Sequence, residues 1–229
     1  MIEFRPSRPD DIPALRQLWK DCFGDTDGFL DLFFSLAYAP RRSLILTENG
    51  NFLGTAYWFD CSMEGRKLAY LYAIAIAPSH QGRGLGTALM EAVHTALEKA
   101  GYDAALLVPG DEGLRRFYEK LGYRTCSYRR TEVRLPALQA VTPEEYARLR
   151  RALLPQNGVV QEGESLRFLS ALADFYRGAG SIAVLSKEDG SCLELLGAPN
   201  TGKTVPYAMG RSLTGKPLPD RLYFAFGFQ

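Results

Sequence analysis

Histidine and cysteine are scarce in this 229-residue chain, with two of the first and four of the second. His80, His94 and the scattered Cys22, Cys61, Cys126 and Cys192 give no C-x-x-C and no metal-ligand spacing, so no metal site is expected. The thiols read as free and buried, in a reducing compartment. An excess of one charge is also lacking. Lys and Arg number 27 against 26 Asp and Glu, a net charge of +1. That removes the electrostatic reason to expect nucleic acid or an anionic membrane surface as partner. No apolar run approaches the ~20 residues of a membrane span. The stretch Met1 to Pro6 lacks the apolar centre of a secretory leader. A cytoplasmic protein is expected. What the chain does have is apolar residues, at 46%, enough for a sizeable core in one large or two small domains.

The most informative stretch is Gln81-Gly82-Arg83-Gly84-Leu85-Gly86. It closes an apolar run from Leu68 to Ala77 and opens an amphipathic one from Thr87 to Ala100. A strand, a glycine-rich turn and a helix start together make a phosphate-binding device. The first helical turn has unpaired N–H groups and the positive end of the dipole. Glycine permits close approach and positive φ, and Arg83 adds a forked cation. A Rossmann fingerprint is excluded. The glycines run G-x-G-x-G, and the candidate acid Asp103 comes after a Gly-Tyr break instead of ending a strand.

A second block lies about 36 residues on from the loop. Leu106-Leu107-Val108 reads as a short buried strand, and Pro109-Gly110 punctuates it. Glu112 to Leu121 reads as a helix, with Leu114, Phe117, Tyr118 and Leu121 on one face and Gly122 as its stop. Together Gln81–Gly86 and Phe117-Tyr118-Glu119-Lys120-Leu121-Gly122-Tyr123 resemble the two signature blocks of the GCN5-related N-acetyltransferases, in the right order and spacing. The resemblance covers roughly residues 1 to 134.

This resemblance implies an α+β fold, a mixed and mostly antiparallel sheet with flanking helices, and acetyl transfer from acetyl-CoA to an amine by direct attack. The diphosphate is then expected on Gln81, Gly82, Arg83, Gly84, Leu85, Gly86 and Thr87. The pantetheine amides are expected along the edge of Ile74, Ala75 and Ile76, where backbone N–H also polarises the thioester. Tyr118 matches the tyrosine that protonates the departing thiolate. Asp111 stands where the family has a cofactor-contacting asparagine, and an anion there donates no hydrogen bond. Tyr72 stands where the family often has a glutamate base. Deprotonation is then left to water leading to Glu64 or Asp60, or to an acceptor with a low amine pKa. Phe33, Tyr38, Tyr57, Trp58 and Tyr72 are candidates to line the acceptor pocket. The expected partner is a primary amine of a small molecule or peptide, and a homodimer is compatible with all of this. The alternative, from a different class, is a non-catalytic acyl-CoA-binding or regulatory module.

Along the chain, a strand at Ile2 to Phe4 precedes two helices, the second about Thr26 to Ala39. A hairpin turns at Glu48-Asn49-Gly50, and Met63-Glu64-Gly65 makes a second turn. A last strand runs from Tyr123 to Leu135. The expected domains are 1–135, the acetyltransferase unit, and 136–229, a truncated and degenerate copy of it. In that copy Thr142-Pro143-Glu144-Glu145 starts a helix, and Ser165 to Tyr176 forms another. A hairpin at Glu188-Asp189-Gly190 echoes the one at Asn49-Gly50, and Leu222 to Phe228 reads as a strand added to a sheet. Gly197 to Thr204 matches G-x-x-x-x-G-K-[ST]. Pro206, Gly210 and the lack of later strands argue for a surface turn with Lys203 solvated.

Overall fold

The computed structural model describes residues 1–132, 134–198 and 201–228. Strand β1 (Ile2–Pro6) leads to helix α1 (Ile12–Phe23), whose buried stripe is Leu15, Leu18 and Trp19. Gly24, at φ 74°, ends it in the left-handed region. Helix α2 (Asp27–Leu36) starts at Thr26, whose side chain accepts from the Phe29 N–H. It stops at Leu36, short of the expected Ala39. Arg42 and the Tyr57 hydroxyl both donate to the Ala37 carbonyl, taking the acceptor that a further turn needs.

Strands β2 (Ser43–Glu48) and β3 (Asn51–Met63) join at Asn49-Gly50, both at positive φ, as two-residue hairpins prefer. Glu64-Gly65 joins β3 to β4 (Arg66–Ile76) in the same way. Next come helix α3 (Leu85–Lys99), strand β5 (Ala104–Leu107, parallel to β4) and helix α4 (Glu112–Lys120). The expected strand over 123–135 is two strands in different sheets, β6 (Arg124–Thr125) and β7 (Tyr128–Glu132). Between them the N–H groups of Cys126 and Ser127 both turn to the Ala208 carbonyl, and the chain changes partners there.

The second half runs β8 (Gln139–Val141), α5 (Pro143–Leu153), α6 (Glu164–Leu172), β9 (Ala173–Gly178), β10 (Ser181–Ser186) and β11 (Cys192–Leu196). The helix expected to reach Tyr176 breaks after Leu172. Ala173 and Phe175 are buried and Asp174 is exposed, a period of two. The sheet order β11-β10-β9-β8 reproduces β4-β3-β2-β1 of the first half. The element order expected of a second copy recurs, with the match slipped by one strand. The hairpin at Asn49-Gly50 corresponds to β9–β10, not to the turn at Asp189-Gly190.

Strand β12 (Thr201–Pro206) pairs with β7, and β13 (Met209–Ser212) inserts between β5 and β6. It completes the seven-stranded sheet β1-β2-β3-β4-β5-β13-β6. A segment from beyond residue 135 is thus part of the first half's sheet. Arg66 ties down the chain after β13, donating to the carbonyls of Pro217 and Lys216 at 2.9 and 3.0 Å. In the G-K-T run, Pro199 and Asn200 lie outside the described residues. The residues from Thr201 onward form a strand and not a helix N-terminus, with Lys203 exposed. The tail 222–228, expected as an added strand, joins no ladder beyond one bridge from Tyr223 to Gly158. Its alternation holds, with Leu222, Phe224, Phe226 and Phe228 buried. Its N–H groups go elsewhere: Leu222 to the Cys126 carbonyl, Phe226 to the Gln161 side chain, Gly227 to the Tyr207 hydroxyl.

Alternation along β3 sends Tyr57 and Phe59 to one core and Ala56 and Trp58 to another beneath α3. The first core is shared by both halves. The Phe168 ring centroid lies 5.6 Å from Phe33 and 5.2 Å from Phe228, and Phe228 is 4.9 Å from Phe59.

Candidate active site

Strand β4 changes character near its C-terminal end. Its pairing with β3 runs as far as Tyr57↔Tyr72 and resumes at Thr55↔Ala75, so Ala73 and Ile74 together oppose Ala56. This is a β-bulge. Ala73 sits at φ 50°, a left-handed conformation that a β-carbon disfavours. On the other side, the parallel ladder with β5 pairs Leu68, Ala69 and Tyr70 and stops at Leu106. The bulge therefore lies where β4 has left its parallel partner, and a bulge changes the direction of the backbone groups it contains.

The loop after β4 is anchored to that strand's end. Gln81 Nε2 donates to the Ile76 carbonyl at 3.0 Å, and Cys22 Sγ of α1 lies 3.5 Å from the same oxygen. Gln81 is thus a tether for the loop. Gly82 and Gly84 hold φ 76° and 78°, and nothing stands within 4 Å of where their β-carbons would be. Gly84 is the N-cap of α3 and brings no side-chain cap. The N–H groups of Leu85, Gly86 and Thr87 head the helix unscreened by any capping side chain, an arrangement that fits an anionic diphosphate. A β-carbon on Gly86 would meet the Phe117 ring at 3.6 Å, an ordinary contact, so α3 and α4 approach each other here. Arg83 is exposed and pairs with Glu48 at 3.2 Å.

Helix α4 brings Tyr118 to the same place. Leu85, Tyr118 and the flanking Ile74, Ile76 and Phe117 belong to one apolar cluster. The Tyr118 ring lies 5.2 Å from Phe117 and 5.8 Å from Tyr123. Its hydroxyl has no hydrogen-bond partner among the described residues. Burial, and then the charge of Asp111, push the phenol up to about 12. It is therefore protonated throughout the working range. A thiol titrates near ~8.5, so outright proton transfer from this phenol to a free thiolate is uphill. What Tyr118 offers a departing sulfur is a hydrogen bond. Asp111 caps α4 by accepting from the Leu114 N–H at 2.7 Å, so its carboxylate is engaged in the fold.

The carboxylates suggested by sequence are not at the bulge. Asp60 pairs across from Ala69, three residues and ~10 Å along the strand from Tyr72. It accepts from the Tyr102 hydroxyl and lies 3.4 Å from Arg42. Glu64 is in the hairpin turn at the other end of β4. Of the five aromatics, Phe33 and Tyr57 are fully buried, Trp58 donates to Tyr102 beneath α3, and Tyr38 is bonded to Ser7. Tyr72 is the β4 residue immediately before the bulge, paired across from Tyr57. Burial, and then Asp25, push its phenol upward. Asp25 carried no sequence signal. It lies between a helix-ending glycine and a helix-starting threonine, and reads as linker beside three other aspartates, Asp21, Asp27 and Asp31. Two cavities, of about 720 and 760 Å³, are lined by neither the Gln81–Thr87 loop nor Tyr118.

A family model described as an acetyltransferase (GNAT) domain matches residues 3–126. The chain belongs to the GCN5-related N-acetyltransferase family. Solved structures agree on the fold. A GCN5-related N-acetyltransferase from Kribbella flavida is 15% identical, with a TM-score of 0.69 over 93% of this chain and 71% of that one. One from Anabaena variabilis is 14% identical, with a TM-score of 0.70 over 93% and 73%. A putative acetyltransferase from Pyrococcus horikoshii is 12% identical, with a TM-score of 0.64 over 99% and 96%. No curated protein matches the sequence. Acetyl-CoA is the cosubstrate of this acetyltransferase family. Among the described residues, no helix is long and apolar enough to cross a membrane.

Proposed function

We propose that the chain is an N-acetyltransferase acting on a primary amine of a small molecule or peptide. The observation that carries this is the bulge at Ala73–Ile74 next to the uncapped N-terminus of α3. Bound acetyl-CoA would supply an activated acetyl group. The N–H groups of Gly84 to Thr87 hold its diphosphate, with Arg83 released from Glu48 as counter-cation. The edge at Ile74, Ala75 and Ile76 pairs with its amides, and a backbone N–H at the bulge faces the thioester carbonyl, where negative charge develops. Tyr118 hydrogen-bonds the sulfur as it leaves. Asp111 shapes the start of α4 as its N-cap.

Calorimetry with CoA, acetyl-CoA and ATP, and then thiol release from acetyl-CoA across an amine panel, tests this reading. The expected result is CoA and acetyl-CoA binding without ATP binding, and thiol release that depends on an amine. Binding with no turnover on any amine, and a silent Tyr118→Phe, supports the binding module instead.

A further inference from the structure

Resting on the function proposed above, we propose that Asp25 is a catalytic residue of this site: it receives the ammonium of the acceptor and takes its proton. Asp25 sits in the three-residue link between α1 and α2 (Gly24 to Thr26), close enough to Tyr72 of β4 for its charge to act on that phenol. Two contacts fix α1 there. Trp19 meets the Tyr72 ring edge-on at 5.7 Å, and Cys22 Sγ lies 3.5 Å from the Ile76 carbonyl. Tyr72 and Ile76 bracket the bulge, so α1 packs against the strand end proposed to hold the thioester, and the link follows directly from it.

The neighbouring aspartates are all occupied. Asp21 accepts from Gln17 at 2.8 Å, Asp27 pairs with Arg16 and Lys20, and Asp31 pairs with Arg16. Asp25 is half-buried, and among the described residues it accepts no hydrogen bond and pairs with no cation. A carboxylate kept partly from water without a partner is costly unless a ligand supplies one. Burial raises its carboxyl above the ordinary range. That makes it a better base than a surface aspartate. The same surroundings, with Tyr72 in reach of Asp25 and the exposed Phe23 two residues before it, lower the pKa of an entering ammonium. The two shifts converge, as proton transfer requires.

The chemistry balances. One proton of R–NH3⁺ passes to Asp25 and on to water. The nitrogen lone pair forms the C–N bond and the C–S bond breaks. The second nitrogen proton goes to the departing sulfur, beside the Tyr118 hydroxyl. The substrate class that fits is an unhindered primary amine on an apolar stem.

The test uses the full chain, acetyl-CoA, phenethylamine as apolar-stem acceptor and glucosamine as polar-stem control. Asp25→Asn is expected to lower kcat/KM for phenethylamine about 100-fold or more while leaving the KM for acetyl-CoA unchanged, with Asp25→Glu restoring part of the loss. The acid limb of the pH–rate profile is expected to vanish in Asp25→Asn. The titratable groups beside Asp25 are Cys22 on α1 and Tyr72 on β4, both pushed up and neutral over that range; the charged groups near it are the paired Lys20 and Asp27. A merely structural aspartate would leave that limb in place. Asp25→Asn within about threefold of the parent, with the limb retained, overturns this inference and leaves the acetyltransferase reading standing. Preference for glucosamine overturns the apolar-stem assignment. A chain that acetylates no amine overturns both.

Discussion

Arg211 donates to Nδ1 of His94 at 3.0 Å, across 117 residues of sequence. Its strand, β13, comes from the second half, and His94 lies on α3 of the first. An arginine cannot accept, so Nδ1 is the acceptor and Nε2 carries the hydrogen that goes to the Tyr123 hydroxyl at 2.8 Å. Tyr123 is the ring beside Tyr118. The second half thus reaches the neighbourhood of Tyr118 through two side chains. Burial, and then the Arg211 charge, lower His94 to about 4.

That shift predicts a pH dependence of stability. Between about 4 and 6.5 the unfolded chain's histidine binds a proton that the folded one refuses, so stability falls as pH drops through this window. Above it the contribution is constant, and its full size is roughly 3–4 kcal/mol. Urea melts at about pH 7 and about pH 4.5 should show a steeper loss for the parent chain than for His94→Gln, which removes the titrating group.

Tyr118→Phe should lower kcat by roughly 100-fold while leaving acetyl-CoA affinity unchanged. The hydroxyl has no partner among the described residues, so its removal breaks no folded-state hydrogen bond. Thermal melting should therefore match the parent. A drop in melting temperature that parallels the activity loss would reassign the residue to the core.

Arg83→Glu should weaken CoA binding about tenfold or more, and the defect should grow at low ionic strength. The pair with Glu48 is exposed, so stability should change by no more than about 1 kcal/mol. Calorimetry and a thermal melt read the two quantities separately.

Gly54→Ala tests the bulge from behind. The new β-carbon would stand 2.8 Å from the Ala75 carbonyl and 2.7 Å from Ile76 Cδ1. Backbone has to move, and the strand that moves is the one proposed to bind pantetheine. A stability loss of about 1–3 kcal/mol and weaker acetyl-CoA binding should appear together.

Much of the site was legible in residue order because it is built from consecutive residues. Gly82 and Gly84 adopt the positive φ that their spacing implied, and Glu112–Lys120 is the helix that its apolar face implied. What failed were readings that needed a partner. Tyr123 to Leu135 reads as one strand only until Ala208 arrives to take the N–H groups of Cys126 and Ser127. Leu222 to Phe228 alternates as a strand does, but both of its edges are claimed by scattered side chains and carbonyls.

By itself, the sequence determined the local devices: the uncapped glycine turn, the helix that carries Tyr118, the hairpins at Asn49-Gly50 and Glu64-Gly65. Each depends on backbone preferences that act over a few residues. Only the tertiary structure decided that β13 fills the gap between β5 and β6, that Ala73 bulges, and that Asp25 is half-buried with no partner among the described residues. Those outcomes rest on contacts between residues far apart in the chain. A residue's own identity carries no record of which distant surface will leave it buried, paired or waiting for a ligand.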